Sequence, residues 1–324
     1  MEAIKARSKL LGSHLIRTPT TQVTSERLSE MLSGAQIFLK LECFQYTGTF
    51  KARGALSVAY HIPDAHKSNG ITAASAGNHA IAAAWAASVF GLSAKVVMQS
   101  TANPFRVKMA RSQGAELVIK EPGAPTFAEA ERLVKEEKRT FIHPFEGIHT
   151  SLGTAGVGLE LMEDIQNLDA VIVSCGGGGL ISGVASAVKL IKPSCKVFGV
   201  EPIGADSMSK SLKAGYPITL DKTETVADSL APPMTLPMCY ELCRTYLDDI
   251  VTVSDDEICT GMVLMQEEAN LAVEPAAGAT MAGLIGPLRE RLTGKRVCMI
   301  VCGSNIDSTT FVQLIQRGLS YSRP

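Results

Sequence analysis

The feature that most limits the fold of this chain is a regular alternation of short apolar runs with longer, helix-like stretches. The apolar and β-branched runs predict strands, and the stretches between them have the periodicity and capping residues of helices. Such alternation is typical of parallel α/β proteins. The predicted strands are Gln36–Leu41, Gly70–Ala74, Ala94–Met98, Ala115–Ile119, Ala170–Ser174, Lys196–Val200, Ile250–Val253 and Val297–Val301. The predicted helices include Phe50–His61, Asn78–Phe90, Asn103–Ser112, Thr126–Glu137, Gly179–Ile191, Asp255–Ala269 and Ala276–Leu292.

The length and charge of the chain indicate two domains and a small ligand. A chain of 324 residues exceeds the usual size of one domain, so we expect two domains that share a cleft. Lys and Arg together number 31 and Asp and Glu number 32, so the chain has no overall basic field to attract nucleic acid. We therefore expect a small-molecule partner and no nucleic acid.

The sequence has no feature that predicts membrane insertion or a structural metal. The longest nearly apolar run, from Ala80 to Leu92, is too short to span a bilayer, and the first ten residues contain no hydrophobic signal region. We expect a cytoplasmic protein that does not bind membranes. The eight cysteines are scattered without CxxC pairs, so we expect reduced thiols and no structural zinc.

The first candidate functional segment is Tyr46-Thr-Gly-Thr-Phe-Lys51-Ala-Arg-Gly, which places a lysine at the start of a predicted helix. The positive end of the helix dipole disfavours the ammonium form of Lys51. A lysine that loses its proton easily can form a Schiff base with an aldehyde. Taken alone, Lys51 is more typical of a solvated lysine in a first helical turn, and the two segments that follow change this balance.

The second candidate segment is Ala74-Ser-Ala-Gly-Asn-His79, a turn between a predicted strand and a predicted helix. Ligands of open parallel sheets bind beyond the carboxyl ends of the strands. The backbone N–H groups of this turn and the Ser75 hydroxyl are suited to a carboxylate at the helix N-terminus. The alternative is an ordinary turn in which Ser75 and Asn78 cap the helix.

The third candidate segment is a run of four glycines, from Gly176 to Gly179, again between a strand and a helix. Four consecutive glycines destabilise regular structure, so they indicate a close approach of the backbone to a ligand. N–H groups without neighbouring side chains form a nest for phosphate. Glu201, at the end of the next predicted strand, stands about where an acid binds ribose in dinucleotide-binding folds. A non-catalytic nucleotide-binding protein therefore stays an alternative.

Two further segments, Val273-Glu-Pro-Ala-Ala-Gly278 and Cys302-Gly-Ser-Asn305, complete a recognisable set. In order and spacing, the five segments resemble the fold-type II family of pyridoxal 5'-phosphate (PLP) enzymes that contains the threonine and serine dehydratases and serine racemase. The resemblance extends from about Arg17 to Gly318. It implies PLP as cofactor, a homodimer, and two open, mainly parallel sheets flanked by helices, with the active site in the cleft between domains. It also implies a large domain of residues 1–50 plus 145–324 and a small domain of residues 51–144.

The resemblance further implies a role for each matching residue. Lys51 would carry the Schiff base and move protons at the substrate α-carbon. Phe50 would flank the cofactor ring, Asn78 would contact its 3'-oxygen, and Glu274 would lie close to it. Cys302 stands where the family usually has a serine next to the pyridine nitrogen. The phosphate would be held by Gly176, Gly177, Gly178 and Gly179, and the substrate carboxylate by Ser75, Ala76, Gly77, Asn78 and His79.

Departures from the family pattern bear on the reaction and on metal binding. Serine racemases have a hydroxyl at the position of Ala76 that moves a proton on the second face of the substrate, so its loss favours a dehydratase over a racemase. Ser207 replaces the aspartate of metal-dependent relatives, and no metal is assigned, although Glu201 and the Ala205 carbonyl match. Ser229 stands where many relatives have glycine. The predicted reaction is the conversion of a small L-β-hydroxy amino acid, such as threonine or serine, to a 2-oxo acid and ammonium.

The identity of the β-substituent stays open at this stage. Phe127 and Phe145 fall in segments that border the pocket in the family, which favours room for an apolar group, although ordinary core aromatics are an equal alternative. Threonine, serine, phenylserine and 3-hydroxyaspartate are all candidate substrates.

Overall fold

The computed structural model of the chain describes residues 1–321, and strands and helices alternate through them as predicted. The strands are β1 (Thr20–Val23), β2 (Gln36–Leu41), β3 (Ile71–Ala74), β4 (Ala94–Gln99), β5 (Glu116–Lys120), β6 (Thr140–Phe141), β7 (Ala170–Ser174), β8 (Lys196–Pro202), β9 (Asp249–Val253) and β10 (Arg296–Val301). The helices are α1 (Glu2–Leu11), α2 (Glu26–Met31), α3 (Lys51–Tyr60), α4 (Asp64–Lys67), α5 (Asn78–Val89), α6 (Pro104–Ser112), α7 (Ala124–Glu137), α8 (Ile148–Asp164), α9 (Gly179–Ile191), α10 (Ser207–Ala214), α11 (Pro237–Tyr246), α12 (Asp255–Ala269), α13 (Pro275–Ile285), α14 (Arg289–Leu292) and α15 (Ser308–Tyr321).

The strands form two separate sheets. The larger sheet has the order β1-β2-β10-β7-β8-β9, and all its neighbours are parallel except the pair β1 and β2. The smaller sheet has the order β5-β4-β3-β6 and is parallel throughout. The predicted architecture of two mainly parallel sheets flanked by helices is therefore confirmed. The smaller sheet is built from residues between 71 and 141, while the domain boundaries themselves stay a prediction.

The cores of the two sheets explain why the central strands were visible in the sequence. Every residue of β7 and β3 is buried, as expected for parallel strands covered by helices on both faces. One apolar cluster surrounds the larger sheet and another surrounds the smaller sheet. No helix within residues 1–321 is both long enough and apolar enough to cross a membrane.

Helix α8 was missing from the sequence prediction because its glycines weaken the helical signal. Gly153, Gly156 and Gly158 lie inside the helix, where glycine is disfavoured. Packing explains two of them: a Cβ built on Gly158 would lie 2.7 Å from the backbone oxygen of Val184 in α9, and one built on Gly153 would lie 2.5 Å from the backbone oxygen of Arg53 in α3. Gly158 thus lets α8 approach α9, the helix that begins at the tetraglycine run.

The prediction of a single helix over Ala276–Leu292 was wrong. The structure has α13, which ends at Ile285, and the short α14, which begins at Arg289. Gly286 leaves the helical conformation, with φ −100° and ψ −109°, and Pro287 follows it. Proline lacks the N–H that an uninterrupted helix needs, so the break follows from this pair.

A buried network of ion pairs fixes α3, the helix that begins with Lys51. Arg53 Nε lies 2.7 Å from a Glu42 carboxylate oxygen, and Arg53 Nη1 lies 2.7 Å from Glu160 in α8. Lys40 Nζ contacts Glu160 at 2.7 Å. Arg53, Lys40, Glu42 and Glu160 are all buried, so each charge depends on the others for compensation. The network holds α3 against the larger sheet.

Candidate active site

Lys51 is the first residue of α3, as the sequence predicted, and its ammonium lies in a confined position. Its Nζ donates a hydrogen bond to the carbonyl oxygen of Pro144 at 2.5 Å and lies 5.1 Å from the centre of the Phe50 ring. Lys51 keeps some contact with solvent, yet burial of the amine lowers its pKa to about 8. The direction of this shift agrees with the prediction, but burial is its main cause. The backbone N–H of Phe50 donates to the Cys302 carbonyl oxygen at 3.0 Å, which joins this turn to the end of β10.

The turn between β3 and α5 presents its N–H groups at the N-terminus of α5. Within it, the Gly77 N–H donates to Ser75 Oγ at 3.1 Å. The backbone N–H groups of Ala76, Asn78 and His79 donate no hydrogen bond within residues 1–321. Free N–H groups at a helix N-terminus suit a carboxylate, the ligand that the sequence predicted for this turn. The side chain of Ala76 carries no proton that could be donated.

The Asn78 side chain is hydrogen-bonded to two residues from the C-terminal part of the chain, Glu274 and Asn305. Its Nδ2 donates to both carboxylate oxygens of Glu274 at 2.9 Å, and its Oδ1 accepts from Asn305 Nδ2 at 2.9 Å. Burial raises the pKa of Glu274, while Arg106 and Asn78 oppose that rise. The three side chains join the carboxylate turn to the N-terminus of α13 and to the segment that follows β10. The contact of Asn78 with the cofactor 3'-oxygen stays a prediction.

The four glycines from Gly176 to Gly179 form a tight turn between β7 and α9. Gly178 has a φ of 98°, in the region that favours glycine, and is followed by the first turn of α9. A Cβ on Gly177 would lie 2.5 Å from the Phe145 ring, and one on Gly176 would lie 3.0 Å from Leu230 Cα. Within residues 1–321, the N–H groups of the four glycines donate to no protein acceptor. Unpaired N–H groups at a helix N-terminus form an anion-binding nest.

Cys302 lies at the end of β10, buried beside Ser174 at the end of β7. Ser174 Oγ donates to Cys302 Sγ at 3.5 Å. Burial raises the pKa of the Cys302 thiol, so the thiol is neutral at physiological pH. The neutral thiol is uncharged, like the serine that the family usually has at this position.

Sequence reasoning missed how much of the site is held together by residues 142–146, here called the strap. The strap follows β6 and contacts the carboxylate turn, Lys51 and the glycine turn in succession. The Ile142 oxygen accepts from His79 Nε2 at 2.7 Å, the Pro144 oxygen accepts from Lys51, and Phe145 packs on Gly177. Burial, and then the nearby Lys51 charge, lower the pKa of His79 to about 3.

A buried arginine beside the carboxylate turn was also missed. A Cβ on Gly77 would lie 3.1 Å from Nη1 of Arg106, which forms an ion pair with Asp228. Arg106 Nε donates to the backbone carbonyl oxygen of Asn305 at 3.1 Å. Nothing in the helical pattern of α6 distinguishes this arginine from an exposed one. Phe127, suggested as a pocket residue, is 58% exposed on α7, whereas Phe145 is buried.

The Glu201 carboxylate is bonded to the protein backbone, whereas the nucleotide-binding alternative requires it to bind ribose. Its carboxylate accepts the backbone N–H groups of Met208 and Ser209 at 2.9 and 2.8 Å and so caps α10. Burial raises its pKa to about 8. Among residues 1–321 no cluster of three or more His, Cys, Asp or Glu side chains could hold a metal ion, and Ser207 Oγ is buried without a hydrogen bond.

Comparison with known proteins decides the family. A family model described as "Pyridoxal-phosphate dependent enzyme" matches residues 13–303. This chain belongs to that family. The enzyme is 46% identical over 299 residues to a phenylserine dehydratase of Ralstonia pickettii, covering 92% of both chains. It is 35% identical to an L-threonine ammonia-lyase of Thermotoga maritima, over 98% of this chain and 79% of the other. The structure of maize serine racemase superimposes with a TM-score of 0.91 at 32% identity, covering 99% of this chain and 98% of that one.

The residues of the enzyme fit the cofactor of this family, PLP. The glycine turn offers unpaired N–H groups to a phosphate, and added Cβ atoms at Gly177 and Gly179 would collide with Phe145. Lys51 has an amine with a lowered pKa, and Cys302 is a neutral thiol that would suit a pyridine nitrogen. Both structure and family therefore disfavour the nucleotide-binding alternative.

Proposed function

We propose that the enzyme is a dehydratase, or ammonia-lyase, which converts a small L-β-hydroxy amino acid such as threonine or serine to a 2-oxo acid and ammonium. The observation that carries the proposal is the placement of the Lys51 amine beside a strap that also contacts the carboxylate turn and the glycine turn. The names of two relatives, a phenylserine dehydratase and an L-threonine ammonia-lyase, support the same reaction class.

The cofactor would be held by residues already described. The N–H groups from Gly176 to Gly179 would hold its phosphate, the Lys51 amine would bind its aldehyde, and Phe50 would flank its ring. Cys302 would offer the ring nitrogen a neutral thiol, and Asn78 and Glu274, which are hydrogen-bonded to each other, would lie close to the ring. When bound, the cofactor supplies an electron sink that acidifies the α-C–H bond and lets the β-hydroxyl leave.

The chain's own groups then bind the substrate and move its proton. The free N–H groups of Ala76, Asn78 and His79 bind the α-carboxylate. The Lys51 amine removes the α-proton, and a pKa of about 8 gives it a useful fraction of free base near neutral pH. His79 stays neutral and donates to the Ile142 oxygen, which keeps the carboxylate turn in place.

The charges around the site favour a substrate with an uncharged β-substituent. Arg106, which lies against Gly77, is already paired with Asp228 and bonded to the Asn305 oxygen. A second carboxylate, as in 3-hydroxyaspartate, would have to compete with Asp228 for that guanidinium. The rings of Phe145 and His143 offer apolar surface on the strap. Phenylserine is thus a second candidate substrate, favoured by Phe145 and by the 46% identical relative.

The test is a substrate panel with the PLP-loaded enzyme. We expect 2-oxo acid and ammonium in equal amounts from threonine, serine or phenylserine, and little from 3-hydroxyaspartate. D-Serine should be negligible compared with pyruvate, because Ala76 has no proton to deliver to the second face. Absence of oxo acid from all four substrates, in a sample whose visible absorbance proves cofactor loading, would overturn the proposal. D-Serine formed as fast as pyruvate would favour the racemase alternative.

Three further expectations stay part of this proposal. They are a cytoplasmic location, a homodimer, and a division into a large domain of residues 1–50 plus 145–324 and a small domain of residues 51–144. Fractionation of cells, sedimentation of the holoenzyme and limited proteolysis test them in turn.

A further inference from the structure

The strap carries one side chain, His143, that the mechanism above does not use. Its Nδ1 accepts two backbone N–H groups of the same turn, from Phe145 at 3.2 Å and from Glu146 at 2.9 Å. An imidazole nitrogen that accepts hydrogen bonds carries no proton, so in the neutral ring the proton is on Nε2. Within residues 1–321, Nε2 of His143 donates to no protein acceptor.

The ring of His143 is held in one orientation by its surroundings. Phe145 and Phe141 meet it edge to face, with ring centres 4.6 and 5.9 Å away and interplanar angles of 90° and 77°. Glu146 fixes the end of the strap by accepting the N–H groups of Met238 and Cys239 at 2.8 and 3.2 Å. Because Nδ1 points into the turn, the Nε2–H on the other edge of the ring points away from it.

Burial keeps His143 neutral, and Lys51 lies close enough to contribute. Burial, opposed by Glu146 and assisted by the Lys51 charge, lowers the pKa of His143 to about 4. Lys51 binds the oxygen of Pro144, the next residue in the chain. His143 is itself only partly buried.

We propose that His143 donates a hydrogen bond from Nε2–H to the β-hydroxyl oxygen of the substrate and stabilises that oxygen as it leaves the β-carbon. The inference rests on the proposed dehydratase function. The electron pair of the C–O bond departs with the oxygen, and the α-proton removed by Lys51 balances the departing hydroxide. His143 keeps its own proton, because a neutral imidazole acts here as a fixed hydrogen-bond donor.

Two substitutions separate this role from the structural role of the ring. In His143→Asn the shorter amide places an oxygen where Nδ1 was, so it can still accept the N–H groups of the turn, but it has no group that reaches the position of Nε2. In His143→Gln the amide nitrogen reaches that position, but the acceptor of the turn is lost. His66→Asn, at an exposed position on α4, is the matched control.

The decisive comparison uses two substrates that differ in the leaving group. Chloride leaves β-chloroalanine without help from a hydrogen-bond donor, whereas the hydroxyl of serine needs one. With the PLP-loaded His143→Asn enzyme, we expect kcat for serine to fall by about 100-fold, the usual effect of removing one fixed donor to a developing oxyanion. Elimination from β-chloroalanine should stay close to that of the parent, and the visible absorbance of the cofactor should not change. His143→Gln should recover part of the serine turnover, and His66→Asn should match the parent.

Other outcomes overturn the inference. Equal losses with both substrates would mean that His143 only supports the strap, and unchanged serine turnover would mean that it does not meet the hydroxyl. Lower serine turnover in His143→Gln than in His143→Asn would also mean that the ring serves only to accept the N–H groups of the turn. If the parent enzyme releases pyruvate from neither substrate, the proposed dehydratase function itself fails.

Discussion

Gly177→Ala tests whether the strap and the glycine turn must fit each other for turnover. A Cβ at Gly177 would lie 2.5 to 2.6 Å from three ring carbons of Phe145. Carbon atoms in contact prefer about 3.5 to 4.0 Å, so the ring must retreat by roughly 1 Å. The backbone itself accepts alanine, because Gly178 is the glycine of this run that has a positive φ.

The movement of Phe145 would be transmitted to Lys51. Phe145 is tied on both sides, by its N–H to His143 and by its oxygen to Cys239 Sγ at 3.2 Å, so it cannot shift without the rest of the strap. Pro144, whose oxygen holds Lys51 Nζ, would move with it. We expect an overpacking cost of about 1 to 3 kcal/mol in stability. A displacement of about 1 Å at the reacting amine costs about 100-fold in rate.

The assay compares kcat/KM for oxo acid formation and the midpoint of thermal unfolding in three proteins. They are the parent, Gly177→Ala and the control Gly156→Ala, in which the new Cβ lies inside α8 at an ordinary 3.4 Å from Arg53 Nη1. The control should be as active as the parent and slightly more stable, because alanine is favoured over glycine inside a helix. Turnover by Gly177→Ala that equals the parent would refute the coupling between the strap and Lys51.

Three further predictions concern the amine, the histidines and the buried ion pairs. The Lys51→Ala variant should fold but form no oxo acid. If it keeps a tenth of the parent rate, only about 1.4 kcal/mol of transition-state stabilisation is lost, and Lys51 is not the base. The midpoint of thermal unfolding should fall as the pH drops from 6.5 towards 4. The pKa values of His79 and His143 in the folded chain, about 3 and about 4, lie below the ordinary value of 6.5. The unfolded chain therefore binds protons first, and the folded state loses stability. In His143→Asn that fall should be shallower, and equal slopes in both proteins would contradict the assignment. Arg53→Met should lower the free energy of unfolding by about 3 to 5 kcal/mol, because Glu42 would stay buried without its partner. Urea titrations measure this change, and an unchanged free energy of unfolding would argue against the network.

The central strands and the helices that follow them were predictable because burial on both faces leaves a continuous apolar run. β2, β7, α9 and α12 have the predicted bounds. The edges were not predictable: β1 is a polar, partly exposed strand, and β6 has two residues. Their pairing depends on neighbouring strands that no local pattern reveals.

The candidate site was predictable where it is built from backbone and unpredictable where it is built from distant side chains. The four glycines and the turn from Ser75 to His79 have unusual local composition, so the sequence indicates them directly. The contact of Asn78 with Glu274 joins residues 196 positions apart. Arg106 and the donor role of His143 depend on which partners the folded chain brings close, and neither residue type nor spacing distinguishes them beforehand.

The most direct test of the central claim is to locate the cofactor attachment in the holoenzyme. Reduction with borohydride followed by peptide mass spectrometry fixes the cofactor to the lysine that holds it. The structure predicts the label on Lys51, whose amine has a pKa lowered to about 8 and lies beside the strap. A label on any other lysine, or an unlabelled chain that still turns over its substrate, would contradict the account.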